Sequence, residues 1–126
     1  MEKKIITSGK LPVAGPYSVA VEAGGFMFIS GQLPLNPASG EIVTDIQPAT
    51  RQVLMNLQAL LEENGLTLKN IVKTTIFLKN IRDFSAVNEI YAGFFSTEPP
   101  ARSTIGVATL PKDAPLEIEA IAIRIS

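Results

Sequence analysis

Apolar positions along the chain follow two rhythms. Ile46, Ala49, Val53, Leu57, Leu60 and Leu61 recur every three or four residues, the spacing of one buried helix face. Asp45 stands at the N-cap position, Pro48 in the first turn, where a missing N–H costs little, and Gly65 where a left-handed residue closes a helix. A second stripe of Phe84, Val87, Tyr91 and Phe94 or Phe95 predicts another helix, capped by Asp83 and stopped by Pro99 and Pro100. Between them "IVKTTIFLK", from Ile71 to Lys79, is β-branched and alternates, which places Val72, Thr74, Ile76 and Leu78 on one face of a strand.

Other strands are short. Lys3 to Thr7 reads as one; Tyr17 to Glu22 and Phe26 to Ser30, joined by "AGG", read as a hairpin. A turn at Pro37 to Gly40 leads to a brief extended piece, Ile42 to Thr44. Ser103 to Thr109 and Leu116 to Ile125 are the last two strands, linked by "LPKDAP". The order β-β-(β)-α-β-α-β-β predicts an α+β domain spanning residues 1–126, with two helices on one face of a sheet. The other face should then be polar, yet Phe26 and Phe28 lie on one side of their strand and Met27 and Ile29 on the other, and both faces of the last strand are largely apolar. Either a ring of identical subunits covers the second face, or the sheet curls into a closed barrel on its own core. The ring is favoured, because five or six strands with two helices close poorly alone.

Composition narrows the chemistry. The chain has 126 residues, 46% of them hydrophobic, and eleven basic side chains nearly cancel twelve acidic ones. That balance gives no broad footprint for nucleic acid or an anionic membrane. Cysteine and histidine are both absent, which removes disulfides, thiol nucleophiles, imidazole bases and the usual zinc sites. No metal site and no cofactor is expected. "MEKKIITSGK" is followed by no long apolar stretch, so no signal peptide or membrane span is read, and a cytoplasmic protein is expected.

The remaining candidates are an arginine and two glutamates set in apolar strands. Arg102 and Thr104 share a face of one strand, and Glu117 and Glu119 share a face of the next. If these strands pair antiparallel across "LPKDAP", Arg102 and Glu117 or Glu119 come within reach of each other, or of the same small cavity. A guanidinium fork matches a carboxylate, and a half-buried glutamate can hold a water. A structural ion pair at a sheet edge or subunit seam would read the same way.

Four segments carry a family resemblance: "GPYSVAV", "FISGQLPLNPASGEIV", "NIVKTTIFLKNIRDFSAVNEIYAGFF" and "PPARSTIGVATLPKDAPLEIEAIA". Together they cover nearly the whole chain, and it resembles the RidA (YjgF) family of reactive intermediate deaminases. The resemblance implies a chorismate-mutase-like fold, assembled as a homotrimer with an internal β-barrel and active sites in clefts between subunits. It implies hydrolysis of 2-imino acids, such as 2-iminopropanoate and 2-iminobutanoate, to 2-oxoacids and ammonia, a detoxification tied to branched-chain amino acid metabolism. By position, Arg102 matches the substrate-carboxylate clamp and Glu117 the glutamate that holds the attacking water. Tyr17, Ser30 and Asn88 match cleft residues, Gly31 the glycine whose backbone approaches the ligand, and Phe84 part of the apolar wall. Many members carry Gln where this chain has Val19, and some carry Cys where it has Thr104, a position that serves substrate binding through its backbone carbonyl. Endoribonuclease activity or translation inhibition, and ligand binding or holdase function without turnover, are the competing readings.

Overall fold

The computed structural model describes residues 2–124. Strands β1 (Lys4–Ile6), β2 (Ala20–Ala23), β3 (Phe26–Gln32), β4 (Ile71–Leu78), β5 (Ala101–Gly106) and β6 (Leu116–Ile123) form one sheet in the order β1-β2-β3-β6-β4-β5. Helices α1 (Ile46–Glu63) and α2 (Phe84–Phe94) pack on one face, giving the α+β architecture expected from the pattern. No helix among the described residues is long and apolar enough to cross a membrane.

The apolar stripe of α1 is buried at Ala49, Val53, Leu54, Leu57, Leu60 and Leu61. Asp45 is extended at the N-cap, but its side chain makes no capping hydrogen bond. At the other end Gly65 has φ +75° and Leu66 N donates to Leu61 O at 2.9 Å, so the chain leaves the helix through a left-handed residue as predicted. Helix α2 departs from expectation at both ends. Asp83 provides no side-chain cap; a short 3₁₀ turn, Ile81–Asp83, precedes the helix, and Asn80 accepts from Arg82 N at 3.0 Å. The helix ends at Phe94, several residues before Pro99, with Glu98 at φ 45° in the following loop.

Strand β4 carries a register shift between Ile71 and Lys73 in its pairing with β6. The irregularity turns Val72 outward, 41% exposed, and gives the buried position to Ile71, so Val72 does not share the face of Thr74, Ile76 and Leu78. The extended piece expected at Ile42 to Thr44 is a single bridge, Leu35 to Ile42. Strand β2 begins at Ala20 and β5 runs from Ala101 to Gly106; β6 ends at Ile123, short of the expected Ile125, with Arg124 already outside the strand and Ile125 outside the described residues.

The pairing expected across "LPKDAP" is overturned. Strand β5 pairs with β4 in parallel, Thr74 to Arg102 and Ile76 to Thr104, and β6 runs antiparallel between β3 and β4. The reason is the helix: β4-α2-β5 is a crossover unit, and such a connection returns the chain parallel to the strand it left. The link to β6 then crosses the end of β4 through a 3₁₀ turn at Pro111–Asp113, with Lys112 and Asp113 both left-handed and Asp113 paired to Lys79 at 2.7 Å.

Residues facing the helices are buried throughout: Met27 and Ile29 on β3, Ile76 on β4, and Ile118, Ala120 and Ala122 on β6. The opposite face is only partly covered, apolar around Phe26, Phe28 and Ile121 and charged at Lys73, Glu117 and Glu119. Phe26 and Phe28 are 41% and 47% exposed, and they pair across to Ile123 and Ile121. Strands β1 and β5 are the two edges, so the sheet of one chain does not close into a barrel.

Candidate active site

Two groups of candidate side chains lie on opposite sides of the sheet. The first gathers around β5 and α2. Arg102 shares the helix-facing side of the sheet with its register partner Thr74. Its guanidinium carbon stands 4.8 Å from the ring centre of Tyr91 and 5.5 Å from that of Phe84. Phe84, Asn88 and Tyr91 fall at i, i+4 and i+7 along α2 and so share one stripe toward this edge. Tyr91 is anchored by a 2.7 Å hydrogen bond between its hydroxyl and that of Thr74, and burial pushes its phenol above the ordinary range, against the smaller opposing effects of that bond and of Arg102. Two residues along β5, the Thr104 hydroxyl oxygen is buried and has no partner among the described residues. An unpaired buried hydroxyl is costly, and a ligand atom at this edge would relieve it.

The second group surrounds Glu117 on β6. Its register partner is Phe77, one of the residues pointing away from the helices. Glu117 lines a cavity of about 380 Å³ together with Tyr17, Ser30 and Gly31. Gly31 sits within the register irregularity of β3 between Ile29 and Gln32. A Cβ there would fall on the Glu117 carboxylate, so only glycine lets that carboxylate lie against the backbone. Ser30 is fixed by donation from its hydroxyl to Ser18 O at 2.7 Å, and Ser30 N donates to Val19 O at 3.0 Å. Tyr17 is 54% exposed and stands at the rim.

Desolvation is the main cause that raises the Glu117 carboxyl above its ordinary value, and repulsion from Glu119 adds to it. Glu119 itself opens into a different cavity, of about 520 Å³, on the sheet face away from the helices beside Lys73, Thr75 and Phe28. The two glutamates therefore share a strand face but not a cavity.

Arg102 and Glu117 are not brought together within one chain. They leave opposite faces of the sheet, and β4 runs between their strands. Among the described residues, no ion pair includes either. Tyr91 was missed as a candidate because its place in an apolar stripe accounts for it as core; its signal was the i+7 spacing from Phe84. Lys112 and Asn56, which also line the Glu117 cavity, carried no signal in the local pattern.

Known proteins are similar to this chain across nearly their whole length. The endoribonuclease L-PSP family model matches residues 7–124. A RutC family protein of Pyrococcus horikoshii is 47% identical, over 98% of this chain and 99% of that protein. The 2-iminobutanoate/2-iminopropanoate deaminase of Escherichia coli is 45% identical, with the same coverage. Among solved structures, E. coli TdcF with bound serine superposes with a TM-score of 0.91 at 43% identity, covering 97% of this chain and 99% of that one. With sequence, fold and extent in agreement over nearly every residue, the chain belongs to the RidA (YjgF) family, the group that the L-PSP model describes.

Proposed function

We propose that the protein hydrolyses reactive 2-imino acids, 2-iminopropanoate and 2-iminobutanoate among them, to 2-oxoacids and ammonia. We place its sites in clefts between the subunits of a homotrimer. The observation that carries this reading is the separation of Arg102 from Glu117: two charged side chains, unpaired among the described residues, on opposite faces of one sheet, each among other candidate contact residues. A neighbouring copy can set its Arg102 edge against the Glu117 cavity of the first, and the exposed apolar patch around Phe26 and Phe28 gives the copies a reason to associate.

The inventory suffices for the reaction without metal or cofactor. Arg102 offers two parallel N–H donors to the substrate carboxylate, while its own plane lies near two aromatic rings that restrict it. The iminium carbon is already electrophilic. Water adds its oxygen to that carbon as one of its protons passes to Glu117. The proton is then delivered to nitrogen, the C–N bond breaks, and the hydroxyl electrons form the carbonyl of the 2-oxoacid. The hydroxyl proton returns to Glu117 and leaves with ammonia as ammonium. A carboxyl raised by desolvation is a better proton acceptor than an exposed one, which suits this shuttle. Gly31 leaves room for the carboxylate, and Tyr17, Ser30, Phe84, Asn88 and the Thr104 backbone line the cleft.

The deaminase name of a 45% identical relative and the serine bound to TdcF, an amino acid with its own carboxylate, support the reading. Adding the protein to a threonine dehydratase with threonine should hasten imine decay and ammonia release. No change in either rate would refute it. RNA cleavage is the second reading, favoured by the family model's description. Near-neutral charge argues against it, and the absence of histidine leaves it no imidazole acid–base pair. Nuclease activity that co-purifies with the chain and falls with Arg102→Ala would establish it.

A further inference from the structure

We infer that Tyr91 is a positioning residue for the proposed reaction: tied by its hydroxyl to Thr74, it fixes the Arg102 guanidinium so that its donors face the substrate carboxylate. The inference rests on the proposed hydrolase reading, in which Arg102 is the carboxylate clamp. Arg102 forms no ion pair among the described residues. What lies beside its guanidinium carbon is aromatic, the Tyr91 ring centre at 4.8 Å and that of Phe84 at 5.5 Å. A ring attracts the cation through its face and takes none of the N–H donors, whereas a carboxylate partner would occupy the fork that the substrate needs. The two rings are held differently. Phe84 is the first residue of α2 and is 40% exposed, so packing restrains it less. Tyr91 is 5% exposed, lies 4.6 Å from the Phe95 ring and is bonded at its hydroxyl end.

The bond joins the right pair of strands. Thr74 and Arg102 are register partners on β4 and β5, so the Tyr91 hydroxyl is bonded, at 2.7 Å, to the residue beside the arginine that its ring restrains. Helix α2 is the crossover between those strands, and Tyr91 ties it to both. Thr74 is fully buried on a strand face that continues with the aliphatic Ile76 and Leu78. Valine would fill that place with no hydroxyl to satisfy, and phenylalanine would serve the apolar stripe of α2 equally well. Two buried hydroxyls that satisfy each other are polar groups that packing alone does not require.

The test is a double-mutant cycle. Tyr91→Leu and Thr74→Val are each made in the wild type and in Arg102→Ala. An L-amino acid oxidase with catalase generates 2-iminobutanoate from 2-aminobutanoate, and trapping by semicarbazide reads kcat/KM; calorimetry reads the Kd of the product, 2-oxobutanoate. Tyr91→Leu should lower kcat/KM by about tenfold or more and raise Kd by the same factor, since a displaced clamp weakens ground-state and transition-state binding alike. Thr74→Val keeps the ring and loses only its tie, and should cost about threefold in both readouts. It carries the test if Tyr91→Leu does not fold. In Arg102→Ala neither change should move kcat/KM by more than about twofold, because the group they act through is gone. Equal losses in both backgrounds, no loss in the wild type, or a fall in kcat/KM with Kd unchanged would overturn the inference and leave the hydrolase reading standing. A wild type that hydrolyses no imine removes the hydrolase reading, and the inference with it.

Discussion

Replacing Arg102 by alanine removes a guanidinium held near two aromatic rings, at 4.8 Å from Tyr91 and 5.5 Å from Phe84. Each cation–π contact at a partly exposed site contributes about 0.5–1 kcal/mol. Because no ion pair to Arg102 is present among the described residues, little else in the fold depends on it. The expected loss of stability is therefore small, on the order of 1–2 kcal/mol. The catalytic loss is much larger. Truncating one partner of a desolvated, hydrogen-bonded charge pair costs roughly 2–5 kcal/mol. At 1.36 kcal/mol per decade, kcat/KM for a 2-imino acid should fall by about 30-fold to several thousandfold. Arg102→Lys should restore little, since the ammonium keeps the charge but loses the planar fork. Imine decay in the coupled dehydratase assay measures activity, and sedimentation of the same samples measures assembly. A variant that dissociates while what remains assembled keeps full activity per site would refute the assignment and leave Arg102 as a structural residue.

Further outcomes follow from the same geometry. With Glu117 acting as the proton acceptor, activity should rise with pH at a midpoint above the ordinary carboxylate value, and Glu119→Gln should move that midpoint down only in part, because desolvation is the larger cause; an unmoved midpoint excludes the Glu119 contribution. The same raised carboxyl favours the folded state only below its unfolded value and loses that contribution as pH rises through its folded value, so Glu117→Gln should raise the melting temperature more at pH 7 than at pH 4. Gly31→Ala would drive a methyl onto the Glu117 carboxylate, and turnover should drop with the fold retained by circular dichroism; full activity would show that the carboxylate need not lie there. Ile121→Glu sets a charge on the sheet face away from the helices and, in the proposed assembly, should yield monomer or unfolded chain by light scattering, whereas an assembly of unchanged size would show that this face is not an interface.

Legibility varied with how local the determinant was. The stripe of α1 and the left-handed Gly65 were readable because both depend on residues within a few turns of each other. The apolar patch opposite the helices was readable from Phe26, Phe28 and Ile121, since strand parity alone sorts them from Met27 and Ile29. Strand neighbours were not. The short link "LPKDAP" reads as a hairpin, yet Lys112 and Asp113 adopt left-handed conformations that ordinary residues seldom take, and they carry the chain past β4. Missing that step put Arg102 and Glu117 on adjacent strands, when register places them on opposite faces of the sheet. The bulge at Val72 was hidden for a related reason: an unbroken β-branched run shows no sign of where its pairing slips. The resemblance implied clefts between subunits, an arrangement that the pattern of the strands alone does not carry.

Subunit complementation tests the central claim most directly. Arg102→Ala and Glu117→Ala chains, each nearly inactive alone, are unfolded together in equal amounts and refolded. If each site takes Arg102 from one copy and Glu117 from its neighbour around a ring, about one site in four should regain both wild-type residues, and activity should return to about a quarter of the wild type. Activity no greater than that of the two variants measured separately, in mixtures shown to contain hybrid trimers, would contradict a shared site.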